Sequence, residues 1–473
     1  MSGRAARASR RSTPIALALA LSLLAACGGG GTTGPATGGG SSAAPAAPGW
    51  EAFVNSLKNK YSGKTLRIIT ISDPFVPAMN KTTDEFTKLT GAKVVTDAFG
   101  YDAVYQKEQL ACQQGSSAYD VIVFDVPWTQ AFVNCTDHLN PLIAKADKDV
   151  IGYDDYFPVM RQAVEWKGEV IGLPFAPYFV LHHYNTKYFD TLGLKPPGNF
   201  SELVANAKAA NQNPKMPNVY ATITNNQAGS AVGQAFFEYI YNFEGGKPFE
   251  SMYPGTKDAY ADMTPLFSSP QGIATVELFK SLLPYQPPGA LNYAWQERQS
   301  YFNTGKVAFV SQWNVTTPSA SDPKQSTVVN SHATAPFPHD STKLVTQVGG
   351  WSLSINKAGK QKDLSWDFMQ WFSGGPTNVA FAKAGGFPSR TSTLNNADLN
   401  KQYPWYATLK EVIPTAFADC RPRNNESFNI INTLGTQISK ALSGQATTEA
   451  AMKAADQQIG KMLKDAGYKV NLR

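Results

Sequence analysis

The chain has 473 residues, more than one ordinary core accommodates and enough for two or three domains. Apolar residues make up 42% and charged residues 16%, the balance of a globular protein rather than a disordered one. The formal charge of +6 overstates the body: without Arg4, Arg7, Arg10 and Arg11, 38 Lys and Arg face 36 Asp and Glu, and no basic stripe remains to hold nucleic acid.

Residues 1–11 are basic, residues 15–26 form a short apolar run, and the run ends in Leu24-Ala25-Ala26-Cys27. A charged start, about a dozen apolar residues and a small-residue cleavage site make an export signal. A permanent spanning helix needs about twenty apolar residues, so the run is too short. Leu-Ala-Ala-Cys resembles a bacterial lipobox, whose cysteine is acylated and becomes the new N-terminus. Residues 1–26 then read as a lipoprotein signal peptide, Cys27 as the lipid anchor and residues 27–49 as a flexible Gly/Ser/Pro tether. Gly29 to Gly34 formally fits G-x-G-x-x-G, but no strand precedes it and no helix follows, so composition alone accounts for the match.

The body begins near Trp50. Leu66 to Ile71 is rich in β-branched residues and predicts a buried strand. Val76, Met79, Phe86 and Leu89 recur at helical spacing, with Gly91 as a C-cap. A second strand is expected over 93–96, a helix over 105–114 and a fully buried third strand over 121–124. This alternation predicts a parallel sheet with right-handed crossovers. Ligands bind beyond the carboxyl ends of such strands, where Asp73 with Phe75, Tyr101, and Asp125 with Trp128 fall. Asp73 also reads as a cap for the helix after Pro74.

Three cysteines remain beyond the leader, and an oxidising compartment permits disulfides. Cys112 with Cys135 is the preferred pair, because both flank the third strand, which leaves Cys420 over. No C-x-x-C occurs. His182 and His183 are adjacent on an extended segment and point to opposite faces, a poor chelate. His138, His332 and His339 have no partner at ligand spacing. Neither a metal site nor a cofactor is expected. Residues 182–347 alternate helical and irregular stretches. Two helices close the chain, one presenting Ile431, Leu434, Ile438 and Leu442, the other Met452, Ala455, Ile459 and Leu463, with a break at Gly444.

Several segments carry a resemblance by their order and spacing: Tyr119-Asp-Val-Ile-Val-Phe-Asp125, Gly172-Leu-Pro-Phe175 with Tyr184-Asn-Thr-Lys187, Phe302-Asn-Thr-Gly-Lys-Val-Ala-Phe309, Val348-Gly-Gly-Trp-Ser-Leu-Ser-Ile355, Trp366 to Phe372, and Ala441-Leu-Ser-Gly444. With these the chain resembles the extracellular solute-binding proteins of ABC importers, in the carbohydrate-binding branch that includes maltose-binding protein. Asp73-Pro-Phe-Val76 and Asp125-Val-Pro-Trp128 look most like its polyol- and monosaccharide-binding members. The resemblance implies an α/β, two-lobed, type II periplasmic-binding-protein-like fold with the ligand cleft between the lobes. The N-terminal lobe would take residues 50–179 and 351–396, and the C-terminal lobe 180–350 and 397–473. Residues 174–185 and 348–353 would cross between them, a setting that suits Gly349-Gly350.

The function implied is that of a lipid-anchored substrate-binding component on the extracytoplasmic face of the cell membrane. It would be a monomer that delivers a small sugar or polyol to permease subunits, with no nucleic acid and no catalysis. Position and resemblance together nominate the ligand-binding residues. Asp73 and Asp125 would accept hydroxyl hydrogen bonds, with Phe75, Tyr101 and Trp128 shaping the wall and Tyr178 facing the cleft. Asn226 and Gln227 would contribute from the second lobe, Trp313 as stacking platform, Gly350 and Trp351 through backbone and ring, and Arg421 as a clamp. Residues 175–180 carry no acid where maltose-binding protein has one, which favours a small ligand over an oligosaccharide. Two rivals are a charged solute, either a polyamine or a glycerophosphodiester held by Arg421 or Arg390, and an exported glycoside hydrolase using Asp73 and Asp125 as its carboxylate pair.

Overall fold

The computed structural model describes residues 48–471. The leader, Cys27 and the tether up to residue 47 lie outside the described residues. The tether as read from composition is too long by two residues, because the helix Pro48–Leu57 already includes Pro48 and Gly49. Proline is tolerated in a first helical turn, and buried Trp50 fixes this one, lying so close to Gly374 that a Cβ there would come within 2.2 Å of the indole.

Among the described residues ten strands form in chain order: β1 (Thr65–Ile71), β2 (Lys93–Phe99), β3 (Val121–Asp125), β4 (Glu165–Trp166), β5 (Glu169–Val170), β6 (Leu173–Asn185), β7 (Phe309–Trp313), β8 (His332–Ala335), β9 (Thr346–Ile355) and β10 (Ala416–Phe417). The main sheet runs β2-β1-β3-β9-β6-β7, with β8 on β6 and β10 on β9, while β4 and β5 pair separately. β1 is parallel to β2 and β3, as the alternation predicts. β9 then enters antiparallel beside β3, more than 200 residues away in sequence, where no local pattern announces it. β2 extends to Phe99, and the next helix, Tyr101–Gln113, starts four residues before the predicted 105 because Gly100 supplies its extended N-cap.

β6 explains how the two ends of the sheet connect. Residues up to Phe179 pair with β9, and from Val180 onward the same strand pairs with β7 and β8. It is buried almost throughout, which accounts for the apolar run Leu-Pro-Phe-Ala-Pro-Tyr-Phe-Val-Leu. The register shifts between Pro174 and Ala176, where proline cannot donate to the ladder. Opposite Pro177 lies Gly350 at φ +112°, and a Cβ there would stand 2.2 Å from the Ala176 carbonyl. Only glycine fits that crossing.

The helices Val76–Thr90, Lys362–Ser373 and Gly375–Lys383 pack together beside β6 and β9, and Tyr101–Gln113 packs on β1 and β2. The helix Ala397–Gln402 packs on Gly375–Lys383. Around the other end, Phe200–Ala210, Ser230–Tyr239, Pro270–Leu282, Ser427–Leu442 and Thr448–Asp465 form one helical layer, and the two closing helices carry their apolar faces into it.

Cys112 and Cys135 form a disulfide with Cα atoms 5.4 Å apart, tying the end of the helix Tyr101–Gln113 to the chain beyond β3. Cys420 is the buried free thiol, lodged against the backbone of Val348. A closed loop of this length restrains the unfolded chain by about 3 kcal/mol. The double variant Cys112→Ser/Cys135→Ser should therefore melt a few degrees below the parent in a calorimetric scan, and an unchanged midpoint would refute a stabilising role.

Candidate functional site

The carboxyl ends of β1, β2 and β3 meet the end of β7, the middle of β9, the start of the helix Trp295–Asn303, the helix Ser230–Tyr239 and the segment around Arg421. Together they enclose a cavity of about 520 Å³.

Asp125, the last residue of β3, is 3% exposed and fully engaged. Arg421 donates to both its oxygens, Nη1 to Oδ2 at 3.0 Å and Nη2 to Oδ1 at 3.2 Å. The Tyr101 hydroxyl donates at 2.8 Å and the Gly350 N–H at 3.2 Å. Four donors occupy about all the lone-pair positions that a carboxylate offers, and the two-point arginine contact adds charge assistance. The Arg421 Nη1 also donates to Gln234 Oε1 at 3.2 Å, and the guanidinium lies 5.5 Å from the Trp313 ring. Gly349 makes this possible, because a Cβ there would meet Arg421 at 2.6 Å.

Asp73 sits in a different environment. It is half-buried at the cavity wall and accepts the Tyr178 hydroxyl at 2.8 Å. Burial pushes its carboxyl up to about 7. The Asp125 charge adds to that rise, while the Tyr178 hydroxyl and the N–H groups of Trp351 and Phe75 oppose it. The capping expectation is not met: the helix Val76–Thr90 takes Phe75 as its N-cap without a side-chain capping bond, and Asp73, which reaches only the Phe75 N–H, borders the cavity instead.

Five aromatic rings line the cavity. Trp351 is wedged against Trp128 at 5.6 Å, and Trp313 lies between Arg421 and Tyr178. Trp295 is only half-buried, 5.5 Å from the Tyr101 ring and tilted by 42°. Trp295 and Tyr101 thus offer the accessible ring surface.

Of the residues nominated from sequence, Asp73, Tyr101, Asp125, Tyr178, Gln227, Trp313, Gly350, Trp351 and Arg421 border the cavity. Three do not. Phe75 is core, edge-on to Phe175 at 5.2 Å. Trp128 is 1% exposed and stands behind Tyr101 and Trp351. Asn226 holds its own loop, donating to Gln286 Oε1 at 2.9 Å and to the Ala290 carbonyl at 3.1 Å, so its neighbour Gln227 turns to the cavity instead. Arg390 is also removed from any anion site: its guanidinium donates to the carbonyls of Ser373, Ile151 and Gly152.

Sequence reasoning missed Gln234, Trp295, Glu297, Gln299 and Gln312. A tryptophan opening an otherwise polar helix, with Glu297 at its third position closing a capping contact, was the available signal. It also gave His332 no partner. The pairing of β6 with β8 sets its Nε2 3.2 Å from His183 Nδ1, and burial lowers both rings below the ordinary histidine range. Among the described residues no group of three or more His, Cys, Asp or Glu is arranged to hold a metal ion.

A family model described as bacterial extracellular solute-binding protein matches residues 70–374, and the chain belongs to that family. A Sinorhizobium fredii protein named as a probable amino-acid ABC transporter periplasmic-binding protein is 24% identical, over 87% of this chain and 92% of its own. The mannitol-binding protein of Pseudomonas aeruginosa is 25% identical, over 67% of this chain and 74% of its own. Among solved structures, an ABC transporter solute-binding protein from Agrobacterium radiobacter K84 in complex with ribitol superposes with a TM-score of 0.78 at 27% identity, covering 85% of this chain and 99% of that one. The fold is therefore the two-lobed type II arrangement, and the hydrolase reading is set aside because the family consists of binding proteins.

The two carboxylates generate separate expectations. Arg421→Met strands a buried charge on Asp125, and urea unfolding should show a loss of about 3–5 kcal/mol; a loss below 1 kcal/mol would contradict the engagement described. Asp73 holds its proton more tightly folded than unfolded, where its value is 3.8. Its contribution is therefore complete below about pH 4 and is lost as pH rises through about 7. Unfolding curves of the parent and Asp73→Asn should diverge over that interval, the parent losing more stability, whereas parallel curves would reject the raised value.

Proposed function

We propose that the chain is the substrate-binding component of an ABC importer and captures a small carbohydrate or polyol between two closing lobes for delivery to a membrane permease. The observation that carries this reading is the cavity itself, which joins one carboxylate still open to a ligand, Asp73, to several amides and an accessible indole, Trp295. Hydroxyls need acceptors and donors, and the C–H face of a sugar or alditol needs a flat apolar surface. A volume of about 520 Å³ suits a small ligand and its closest waters. One charged contact at about 1.5–3 kcal/mol, several amide contacts at about 0.5–1.5 kcal/mol each and a packed ring at about 1 kcal/mol, less the cost of closure, approach the −8 kcal/mol or so of micromolar binding.

The complexes with ribitol and with D-mannitol, the latter from Agrobacterium vitis S4, support the ligand class, as does the mannitol-binding relative. The phosphodiester rival finds less support, because Arg421 is paired with Asp125 and Arg390 is bound to backbone. The lobes are read as residues 50–179 with 351–396, and 180–350 with 397–473. The exchange of β6 partners between Phe179 and Val180 supports the first of these limits. The reading includes export, acylation at Cys27 and action as a monomer on the extracytoplasmic face, supported by the Leu-Ala-Ala-Cys leader and by the extracellular family.

A ligand that binds only the folded protein raises its melting temperature, by about 2.7 kcal/mol of stability at a hundredfold excess over Kd. A thermal-shift panel of alditols and monosaccharides should return at least one such shift. Trp295→Ala should weaken that ligand tenfold or more with little change in the unliganded midpoint, and Trp295→Phe should retain most of the affinity. A panel without any shift would sink the reading.

A further inference from the structure

The charges around the cavity are lopsided. Asp73, Asp125 and Glu297 border it against a single cation, Arg421. Arg421 serves Asp125 with both terminal nitrogens. Glu297 accepts the Ala294 N–H at 3.1 Å at the start of its helix. Asp73 receives only neutral donors, the Tyr178 hydroxyl and the N–H groups of Trp351 and Phe75, and the charge that reaches it comes from another acid, Asp125. A carboxylate withdrawn from water without a counter-charge is costly.

The walls favour the same sign. Tyr178 and Trp351 meet Asp73 through their O–H and N–H edges, while Tyr101 and Trp295 line the same space with half-buried rings. Ring faces attract cations, indole most strongly. A ligand hydroxyl would satisfy one lone pair of Asp73 and leave its charge in place. An ammonium brings three donors and cancels the charge. An anionic ligand would add to the excess. Elsewhere on the wall Gln234, 3% exposed, has an Nε2 without an acceptor, so an oxygen-bearing portion of the ligand is also called for.

We propose that the ligand carries a protonated amine among its hydroxyls, as an amino alditol or amino sugar does, with the ammonium seated at Asp73 and a hydroxyl oxygen toward Gln234. This rests on the polyol reading and narrows it.

The test compares ribitol, D-mannitol and D-glucitol with their 1-amino-1-deoxy counterparts by calorimetric titration of the purified protein at pH 7.5, with D-gluconate as the anionic control. The amino compound should bind at least tenfold tighter than its parent alditol, and gluconate weakest. Asp73→Asn, checked for an intact melting transition, should weaken both series but cost the amino compound at least tenfold more affinity than it costs the parent alditol. An alditol that binds as tightly as its amino form, or an Asp73→Asn variant that weakens both equally, overturns the proposal while leaving the polyol reading intact. If neither series binds, the polyol reading itself falls and takes this one with it.

Discussion

The pairing of Asp125 with Arg421 is the interaction on which the site depends. It gathers the end of β3, the helix start at Tyr101, the crossing residue Gly350 and the segment before the closing helices onto one buried carboxylate. An ion pair this deep contributes little net stability, since desolvating both partners offsets most of their attraction. It imposes geometry instead: every donor must be in place for the charge to be tolerated. The same segment is fixed from its other side by Arg423, whose guanidinium donates to the carbonyls of Gln162 and Glu165 and to Asp419. Two arginines two residues apart thus anchor this irregular stretch to separate neighbours, Arg421 to Asp125 and Arg423 to the carbonyls of Gln162 and Glu165.

The crossing strands tie this geometry to movement between the lobes. Tyr178 lies on β6, and Gly350 and Trp351 lie on β9, at the position where β6 leaves β9 for β7. A change in the angle between the lobes must therefore act on backbone that itself lines the cavity. Gly350 is held at a backbone angle that other residues rarely adopt, with the Ala176 carbonyl where a side chain would be, so the crossing tolerates little variation. On the proposed reading, binding and closure draw on the same few residues.

This division also explains how much was legible in the sequence. β1 was readable from its β-branched residues and β3 as a continuous apolar run, and the carboxyl ends of β1, β2 and β3 located Asp73, Tyr101 and Asp125. Direction within a loop was not readable. Phe75 lies two residues from Asp73 and Asn226 one from Gln227, yet in each pair one faces the core or its own loop and the other the cavity. Trp295 was hidden in a short polar helix whose relation to Tyr101 is set by contacts nearly 200 residues apart. The antiparallel entry of β9 has the same origin, because strand order depends on which distant apolar surface is left to cover, and periodicity does not record it.

Asp73 and Asp125 follow neighbouring parallel strands at comparable positions, and nothing in their local sequence separates them. Their surroundings do. Asp125 has a cation and two further donors, so it serves as structure; Asp73 has neutral donors only and an edge on the cavity, so its charge is not met within the chain. Two carboxylates can thus take different roles through environment alone. The placement of one arginine decides which acid is paired within the protein and which is left open at the cavity. On the proposed reading, moving that arginine's reach by a few ångströms would exchange their roles and leave Asp125 as the acid open to the ligand.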